Sequence, residues 1–273
     1  MLGKLHKKQK RILAILPNKK YLPRIWMIGY NEKKRFSLIR QKTLLPDGKT
    51  LFLFNSIMEE KDMIELIHLP VRRGNVPLRV ACGHFATNHS HINYYIDITY
   101  QKTRLSEAKA VAKQLVTSFN TTTFVDTILC LDGTAVIGAC LAESLTDSGF
   151  QNLNRHQTIY VIEPEYSSNG QMIFRDNIQH MLRGKHVLVL MSSVTTGYTA
   201  KRSIEAIDYY GGTVAGVCAL YSAVDEAEGY PVVSVYNVRD LPDYASYDYR
   251  QCPLCKEGKK LDALVNSFGI SAL

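Results

Sequence analysis

The stretch that most constrains the fold is residues 185–212, in which an apolar run, a short polar turn and a helical pattern follow one another. Residues 187–191 read VLVLM, a continuous apolar run that is typical of a strand buried on both faces. A helical spacing of apolar residues begins near Thr199 and ends at the glycine pair 211–212. Such a strand–turn–helix unit predicts part of a parallel sheet that is covered by helices.

The turn inside this unit carries small hydroxyl residues and a glycine, which are Ser192, Ser193, Thr195, Thr196 and Gly197. The free N–H groups of the next helix and its dipole point at one spot, and hydroxyls add further donors, so the turn could cradle a phosphate. An ordinary capped turn without a ligand is the alternative that these residues leave open.

A second unit of the same kind lies about sixty residues earlier. Residues 125–131 predict a buried strand, the turn Asp132-Gly133-Thr134 follows, and residues 135–145 have a helical pattern. The backbone N–H groups of Gly133 and Thr134 would face an anion, unless Asp132 is only a helix cap. Strands are also predicted at 158–162, 213–222 and 231–235, which completes an alternation typical of a mostly parallel sheet. Ligands of such sheets bind beyond the carboxyl ends of the strands.

The sequence VLVLMSSVTTGYT resembles the loop of type I phosphoribosyltransferases that binds phosphoribosyl diphosphate (PRPP). The resemblance implies that the 5′-phosphate is held by Thr195, Thr196, Gly197, Tyr198 and Thr199, next to Ser192 and Ser193. In the family two acidic residues precede this loop, hold the ribose hydroxyls and help to organise magnesium. Here Met191 and Ser192 stand in their places. The turn at Asp132 resembles the pyrophosphate loop of the same enzymes.

Residues 84–97, HFATNHSHINYYID, resemble the substrate segment of orotate phosphoribosyltransferases, with Ser90 as its serine and Tyr94-Tyr95 as its aromatic pair. The alternative is a packed strand over 94–98 with the histidines in a loop. By the same resemblance Tyr221 would stack a base, although it could equally be a core residue. Arg175 is the cation that a closing loop at 163–177 offers for catalysis, and a surface hairpin at Asn169-Gly170 is the alternative interpretation.

The resemblance implies a type I phosphoribosyltransferase fold, an α/β fold with a mostly parallel sheet flanked by helices and a small hood. The implied activity is that of an orotate phosphoribosyltransferase-like enzyme, which transfers the phosphoribosyl group of PRPP to a nucleobase and releases pyrophosphate. The loss of the acidic pair favours the alternative, a catalytically inactive regulator that binds PRPP or a nucleotide. Magnesium would bind mainly through PRPP oxygens and water, and relatives are commonly homodimers.

Charge divides the chain unevenly. Residues 1–49 carry 14 of the 33 Lys and Arg residues but only two of the 25 Asp and Glu residues, so this segment has a formal charge of +12 and the remainder −4. We therefore expect a basic extension over 1–57, disordered or not translated, a phosphoribosyltransferase-like domain with its hood over 58–258, and a tail over 259–273. Nucleic acid could bind only through the extension. No apolar run reaches the length of a membrane span.

The six cysteines have no regular spacing, which indicates reduced thiols and a cytoplasmic protein. Cys252 and Cys255 form a single Cys-x-x-Cys pair. Zinc needs four ligands, so zinc at this pair is disfavoured, and a redox pair or two unengaged thiols are the alternatives. The clustered donors that could complete a site are Cys82, His84, His89 and His91.

Overall fold

The computed structural model describes residues 64–69, 76–88, 90–119, 123–147, 153–155 and 158–273, together with three backbone strands nearer the amino terminus. The chain divides into two units, Met1–Met63 and Ile64–Leu273. The division falls six residues later than the boundary expected from the sequence. No helix of the described residues is long and apolar enough to cross a membrane.

The first unit contains a three-stranded antiparallel sheet in the order β1-β3-β2. Its strands are β1 (Arg11–Ile15), β2 (Ser37–Leu44) and β3 (Thr50–Ile57). β2 and β3 pair in antiparallel register. The basic side chains that could bind nucleic acid lie outside the described residues.

The second unit alternates strands and helices. Its first elements are β4 (Ile67–Leu69), β5 (Leu78–Ala86), β6 (Ser90–Asp97), α1 (Thr99–Thr103), α2 (Leu105–Val116), β7 (Thr127–Cys130), α3 (Ala135–Thr146), β8 (Tyr160–Ile162), β9 (Glu165–Tyr166), β10 (Met172–Ile173) and α4 (Asp176–Gln179). The rest are β11 (His186–Val194), α5 (Tyr198–Tyr209), β12 (Thr213–Ser222), β13 (Glu226–Ala227), β14 (Tyr230–Asn237), β15 (Ser246–Asp248), α6 (Pro253–Lys256), β16 (Ala263–Asn266) and β17 (Gly269–Ala272).

The main sheet has the order β13-β14-β12-β11-β7-β8, and every neighbouring pair is parallel except β13 with β14. Buried residues of α2 and α3 pack on one face, and those of α5 pack on the other. The central strands β7 and β11 are apolar along most of their length because helices cover both of their faces. The predicted α/β fold with a mostly parallel, helix-flanked sheet is confirmed.

A second sheet forms the hood, in the order β15-β6-β5-β16-β17, with β4 also paired to β5. Residues 263–272 were expected to belong to a tail. They instead form β16 and β17, and β16 runs parallel to β5. Three hydrophobic residues of this sheet, Phe85, Ile92 and Val265, belong to one buried cluster. Burial of Val265 in this cluster explains why the last strands are not a free tail.

The structure differs from two further expectations, the length of the turn after β11 and the location of the histidines. Ser192 and Ser193 belong to β11, which continues to Val194, so the turn is shorter than predicted. His84 lies in β5 and is 3% exposed, and His91 lies in β6, so neither is in a loop. The hairpin at Asn169-Gly170 forms between β9 and β10.

A buried ion pair joins the two long hood strands. Arg79 Nη2 lies 2.7 Å from Asp97 Oδ2, with about a tenth of each side chain exposed. We expect Arg79→Met to cost about 3 kcal/mol in the free energy of unfolding, because it leaves Asp97 buried without its counterion. The measurement is urea denaturation at neutral pH. Arg104→Met is the matched control, since both arginines lie over the Tyr100 ring.

Arg104 makes only a 3.7 Å contact with Glu107 and is largely exposed. Its replacement should change the stability by less than about 0.5 kcal/mol. Equal losses in the two variants would contradict the assignment, because the contact with the Tyr100 ring would then account for both.

Candidate functional site

A cavity of about 630 Å³ lies between the main sheet and the hood. Its floor consists of residues at or just beyond the carboxyl ends of β7, β11 and β12, and its other wall consists of residues of β6, α1 and the β16–β17 turn. This is the edge of a parallel sheet at which ligands bind. Six residues of the predicted phosphate-binding segment line it, namely Ser192, Ser193, Thr195, Thr196, Tyr198 and Thr199.

The turn from β11 into α5 presents backbone N–H groups at the start of a helix. Gly197 is the residue before the helix, and its φ of +76° lies in the left-handed region that favours glycine. The first bond of the helix runs from the Lys201 N–H to the Gly197 carbonyl, 2.9 Å. The Thr199 and Ala200 N–H groups therefore have no partner within the helix, and no side-chain hydrogen bond caps this end. Backbone N–H groups at a helix start, with hydroxyls such as those of Thr195 and Thr199 beside them, are donors of the kind that bind phosphate groups in proteins.

The second turn, after β7, reverses sharply. Asp132 and Gly133 have φ of +56° and +75°, two consecutive left-handed residues. Thr134 differs from its prediction: its N–H donates to the Leu131 carbonyl at 3.1 Å, and its buried hydroxyl donates to the same carbonyl at 2.8 Å. Thr134 thus shapes the turn and has no free N–H for an anion. Neither Gly133 nor Thr134 lines the cavity.

The two turns are adjacent because β7 and β11 pair in parallel. The Leu131 N–H donates to the Leu190 carbonyl at 2.9 Å, and the Ser192 hydroxyl donates to Asp132 Oδ2 at 3.2 Å. Met191 points into the hydrophobic core and is 1% exposed. The Asp132 carboxylate therefore lies beside Ser192, one of the two positions at which type I phosphoribosyltransferases carry their acidic pair.

Lys102, in the last turn of α1, is a site residue that the sequence analysis missed. Its Nζ donates to the Asp132 carbonyl at 2.9 Å and to the Ser267 carbonyl. Among the described residues that line the cavity, Asp132 is the one carboxylate and Lys102 is the one lysine, arginine or histidine. No spacing or motif distinguishes Lys102 from other lysines, because only the tertiary fold brings it to Asp132.

Burial has the largest effect on the pKa values of Asp132 and Lys102. It raises the pKa of Asp132, and the Ser192 hydrogen bond and the charge of Lys102 only partly oppose the rise. It lowers the pKa of Lys102, against the opposing effect of Asp132. Titratable groups whose pKa values are shifted in this way inside a cavity mark a candidate functional site.

Aromatic rings form the other wall. Tyr94 and Tyr95 line the cavity from β6, and Tyr221 lines it from the end of β12. The Tyr221 ring lies 5.3 Å from the Tyr244 ring at 60°. The Tyr221 hydroxyl is buried and has no hydrogen-bond partner among the described residues. The Tyr221 ring is fully buried in the hydrophobic core, as the alternative interpretation held, so it offers no face on which a base could stack. Tyr94 and Tyr95 offer apolar surface to a planar ring, and the Tyr221 hydroxyl could bond to it.

The turn between β16 and β17 also reaches the cavity, through Asn266, Ser267 and Gly269. The sequence analysis placed these residues in the tail. A turn-forming Asn-Ser-x-Gly run between two short apolar segments was the available signal for a hairpin.

Arg175 is not brought to the cavity. Its guanidinium forms two hydrogen bonds with the Glu165 carboxylate, 2.6 and 2.7 Å, on an exposed surface. Burial, and then the charge of Asp132, raises the pKa of Tyr166 in the β9–β10 hairpin, but Tyr166 does not line the cavity. A catalytic role for Arg175 thus has no support in this arrangement.

The chain is similar in sequence to known enzymes of one kind. It is 28% identical over 190 residues to the orotate phosphoribosyltransferase of Chlorobium phaeobacteroides, covering 66% of this chain and 86% of that enzyme. It is 34% identical over 94 residues to the orotate phosphoribosyltransferase of Caldanaerobacter subterraneus, but spans only 46% of that relative's length. No family model matches the chain.

Among solved structures, the orotate phosphoribosyltransferase of Aeropyrum pernix aligns with a TM-score of 0.45 and 20% identity. The alignment covers 66% of this chain and 92% of that protein.

Proposed function

We propose, on the premise that this chain is a type I phosphoribosyltransferase related to the orotate enzymes, that it transfers the phosphoribosyl group of PRPP to a nucleobase. The observation that best supports this proposal is that two turns about sixty residues apart in sequence meet at one cavity. Ser192 and Asp132 are in contact there, at 3.2 Å. PRPP has phosphate groups at both ends of its ribose. The β11–α5 turn supplies backbone donors for one end, and the Lys102 ammonium beside the Asp132 turn supplies positive charge for the other.

The residues divide among the parts of PRPP. The turn at Thr195 to Thr199 holds the 5′-phosphate through backbone N–H groups and hydroxyls. The turn at Asp132 lies by the pyrophosphate, and the tyrosine wall with Tyr221 receives the base. The Asp132 carboxylate would take the place of the missing acidic pair by binding the ribose hydroxyls, and it would help to hold a magnesium ion that enters with PRPP. Bound magnesium would neutralise phosphate charge.

In this reaction a ring nitrogen of the base bonds to C1 of the ribose, and the bond from C1 to pyrophosphate breaks with both electrons leaving on pyrophosphate. The transition state is a cationic ribose beside an anionic leaving group. The Lys102 ammonium, fixed by two carbonyl oxygens, is positioned to stabilise the negative charge. The Asp132 carboxylate is positioned to stabilise the positive charge. The concave shape of the cavity holds the two reactants in place.

The decisive experiment measures pyrophosphate release from PRPP with magnesium and a panel of bases. We expect turnover with orotate, and none when Lys102→Met and Asp132→Asn are combined. Saturable PRPP binding without turnover on any base would contradict the proposal and support the non-catalytic regulator, for which the buried Met191 is the one observation.

We also propose a cellular location and an oligomeric state for the protein. All six cysteines are free thiols, which fits the reducing conditions of the cytoplasm. The homodimer is proposed only because similar enzymes are commonly homodimers. Light scattering of the purified chain tests it.

A further inference from the structure

A cluster of metal-ligating side chains lies in the hood, apart from the cavity. It consists of His84 on β5, His91 on β6, and Cys252 and Cys255 around α6. One ligand atom from each lies within 4.8 Å of every other. Cys252 is 1% exposed and His84 is 3% exposed, so two of the four ligands are buried. His89 lies outside the described residues, and Cys82 does not belong to the group.

From these four side chains we infer a structural zinc site that fastens the carboxyl-terminal segment to the hood. The donor set is two imidazoles and two thiols, a combination typical of tetrahedral structural zinc. The single Cys-x-x-Cys, which supplied only half of a site in the sequence, is completed by two histidines from a β-hairpin more than 150 residues away.

The distances within the cluster match the edges of a zinc tetrahedron. Zn–N bonds of about 2.0–2.1 Å and Zn–S bonds of about 2.3 Å place two nitrogens ~3.3 Å apart, and a nitrogen and a sulfur ~3.6 Å apart. His84 Nε2 lies 3.1 Å from His91 Nδ1. Three of the four nitrogen–sulfur distances are 3.3, 3.5 and 3.6 Å, and every pair of ligand atoms lies within 4.8 Å. One cation at the centre could therefore reach all four atoms.

Hydrogen bonding alone does not account for every close contact in this cluster. His84 Nδ1 lies 3.0 Å from the Lys259 carbonyl, which can only accept, so Nδ1 carries the proton and Nε2 has a single lone pair. That lone pair faces His91 Nδ1 and both sulfurs, yet it can accept only one hydrogen bond. A cation satisfies the whole group. A carbonyl on the far nitrogen is also the usual means by which proteins orient a zinc-bound histidine.

The backbone around His84 is shaped to present it. Cys82 pairs with Tyr94 and Phe85 pairs with Ile92, so two residues of β5 oppose one residue of β6 in a β-bulge. A side chain at Gly83 would place its Cβ 2.7 Å from the Asp262 carboxylate. That carboxylate accepts a hydrogen bond from the His84 N–H at 2.7 Å. The bulge thus joins His84 to the segment that follows α6.

The site would stabilise one wall of the cavity. Beyond α6 the chain continues into β16, which pairs with β5, and into the turn whose Ser267 carbonyl accepts from Lys102. Zinc would hold this turn in place by anchoring its preceding segment to β5 and β6. The inference does not depend on the reaction catalysed, since it concerns ligands outside the cavity.

The test is the metal content of the full chain, purified without chelators, reconstituted with zinc and desalted. We expect one zinc per chain in the wild type and in Cys82→Ser, whose exposed thiol lies two residues before His84. Cys255→Ser should bind zinc at least about 100-fold more weakly, because losing even a group outside the ligand set costs about 10–100-fold. Cys255 is exposed, so this variant keeps the core packing.

A second measurement covers the case of a variant that does not fold. Cobalt added to the wild-type apoprotein should give the intense visible bands of a tetrahedral ion and a thiolate-to-cobalt charge-transfer band. Removal of zinc by a chelator should increase hydrogen exchange in residues 263–266. Zinc content equal in the wild type and a Cys252→Ser, Cys255→Ser double variant would overturn the inference. So would a purified chain in which Cys252 and Cys255 are joined as a disulfide.

Discussion

Gly197→Val should abolish PRPP binding. The residue has φ of +76°, so a β-branched side chain would force this turn out of the left-handed region. The N–H groups of the first turn of α5 would then point elsewhere. Each hydrogen bond to a charged group contributes about 1.5–3 kcal/mol, so losing two of them weakens binding by roughly 10²–10⁴-fold. Isothermal titration with PRPP and magnesium measures the change.

Gly184→Val is the matched control for this prediction. Gly184 has φ of +69° and, like Gly197, has room where a Cβ atom would lie, but it precedes β11 at the opposite edge of the sheet. Both variants carry a similar backbone penalty, and only one touches the proposed phosphate site. Equal loss of affinity in the two would show that strain, and not the phosphate site, is responsible. Unchanged affinity in Gly197→Val would refute the placement of the phosphate.

Asp132→Asn should reduce kcat/KM for PRPP by about 10²–10³-fold, the usual cost of removing one preorganised polar group from a site. It removes the one carboxylate among the described residues that line the cavity, while an amide oxygen can still accept from Ser192. The control is Asp126→Asn. Asp126 is at the amino end of β7, where it pairs with His186, and its replacement should leave kcat/KM within about twofold of the wild type. Full activity of Asp132→Asn would remove Asp132 from the mechanism.

The same variant has a predicted pH signature. Burial raises the pKa of Asp132 in the folded chain above its ordinary value. Between the two values the folded chain holds a proton that the unfolded chain has lost, so stability falls as pH rises through this window. Asp132→Asn lacks this effect, and its stability should be higher than that of the wild type at neutral pH. Urea denaturation across the pH range checks this, and a less stable variant at neutral pH would contradict the cost assigned to the buried carboxylate.

The parts of the fold that could be predicted from sequence are those that local pattern determines. The runs at β7, β11 and β12 are apolar because helices cover both faces of their sheet, and a continuous run is visible in one sequence. The two turns could be located because each follows such a strand. Their meeting could be expected as well, since parallel neighbours end at the same edge.

The sequence did not identify features whose place in the structure is set by contacts between residues distant in sequence. Lys102 is in the site because α1 brings it between Asp132 and Ser267, and no local pattern reports this. β5 was not predicted because the bulge at Gly83 interrupts its alternation. Thr134 was assigned to the ligand on its position in the turn, yet its N–H and hydroxyl donate to the carbonyls of Leu131 and Leu190.

The pairing of β16 with β5 has a consequence for synthesis of the protein. The cavity has Thr87 in one wall and Gly269 in another, so its outline is encoded across nearly the whole second unit. On the ribosome the parallel sheet can assemble while the hood still lacks a wall. The chain should therefore gain affinity for PRPP only after the β16–β17 hairpin has formed and paired with β5.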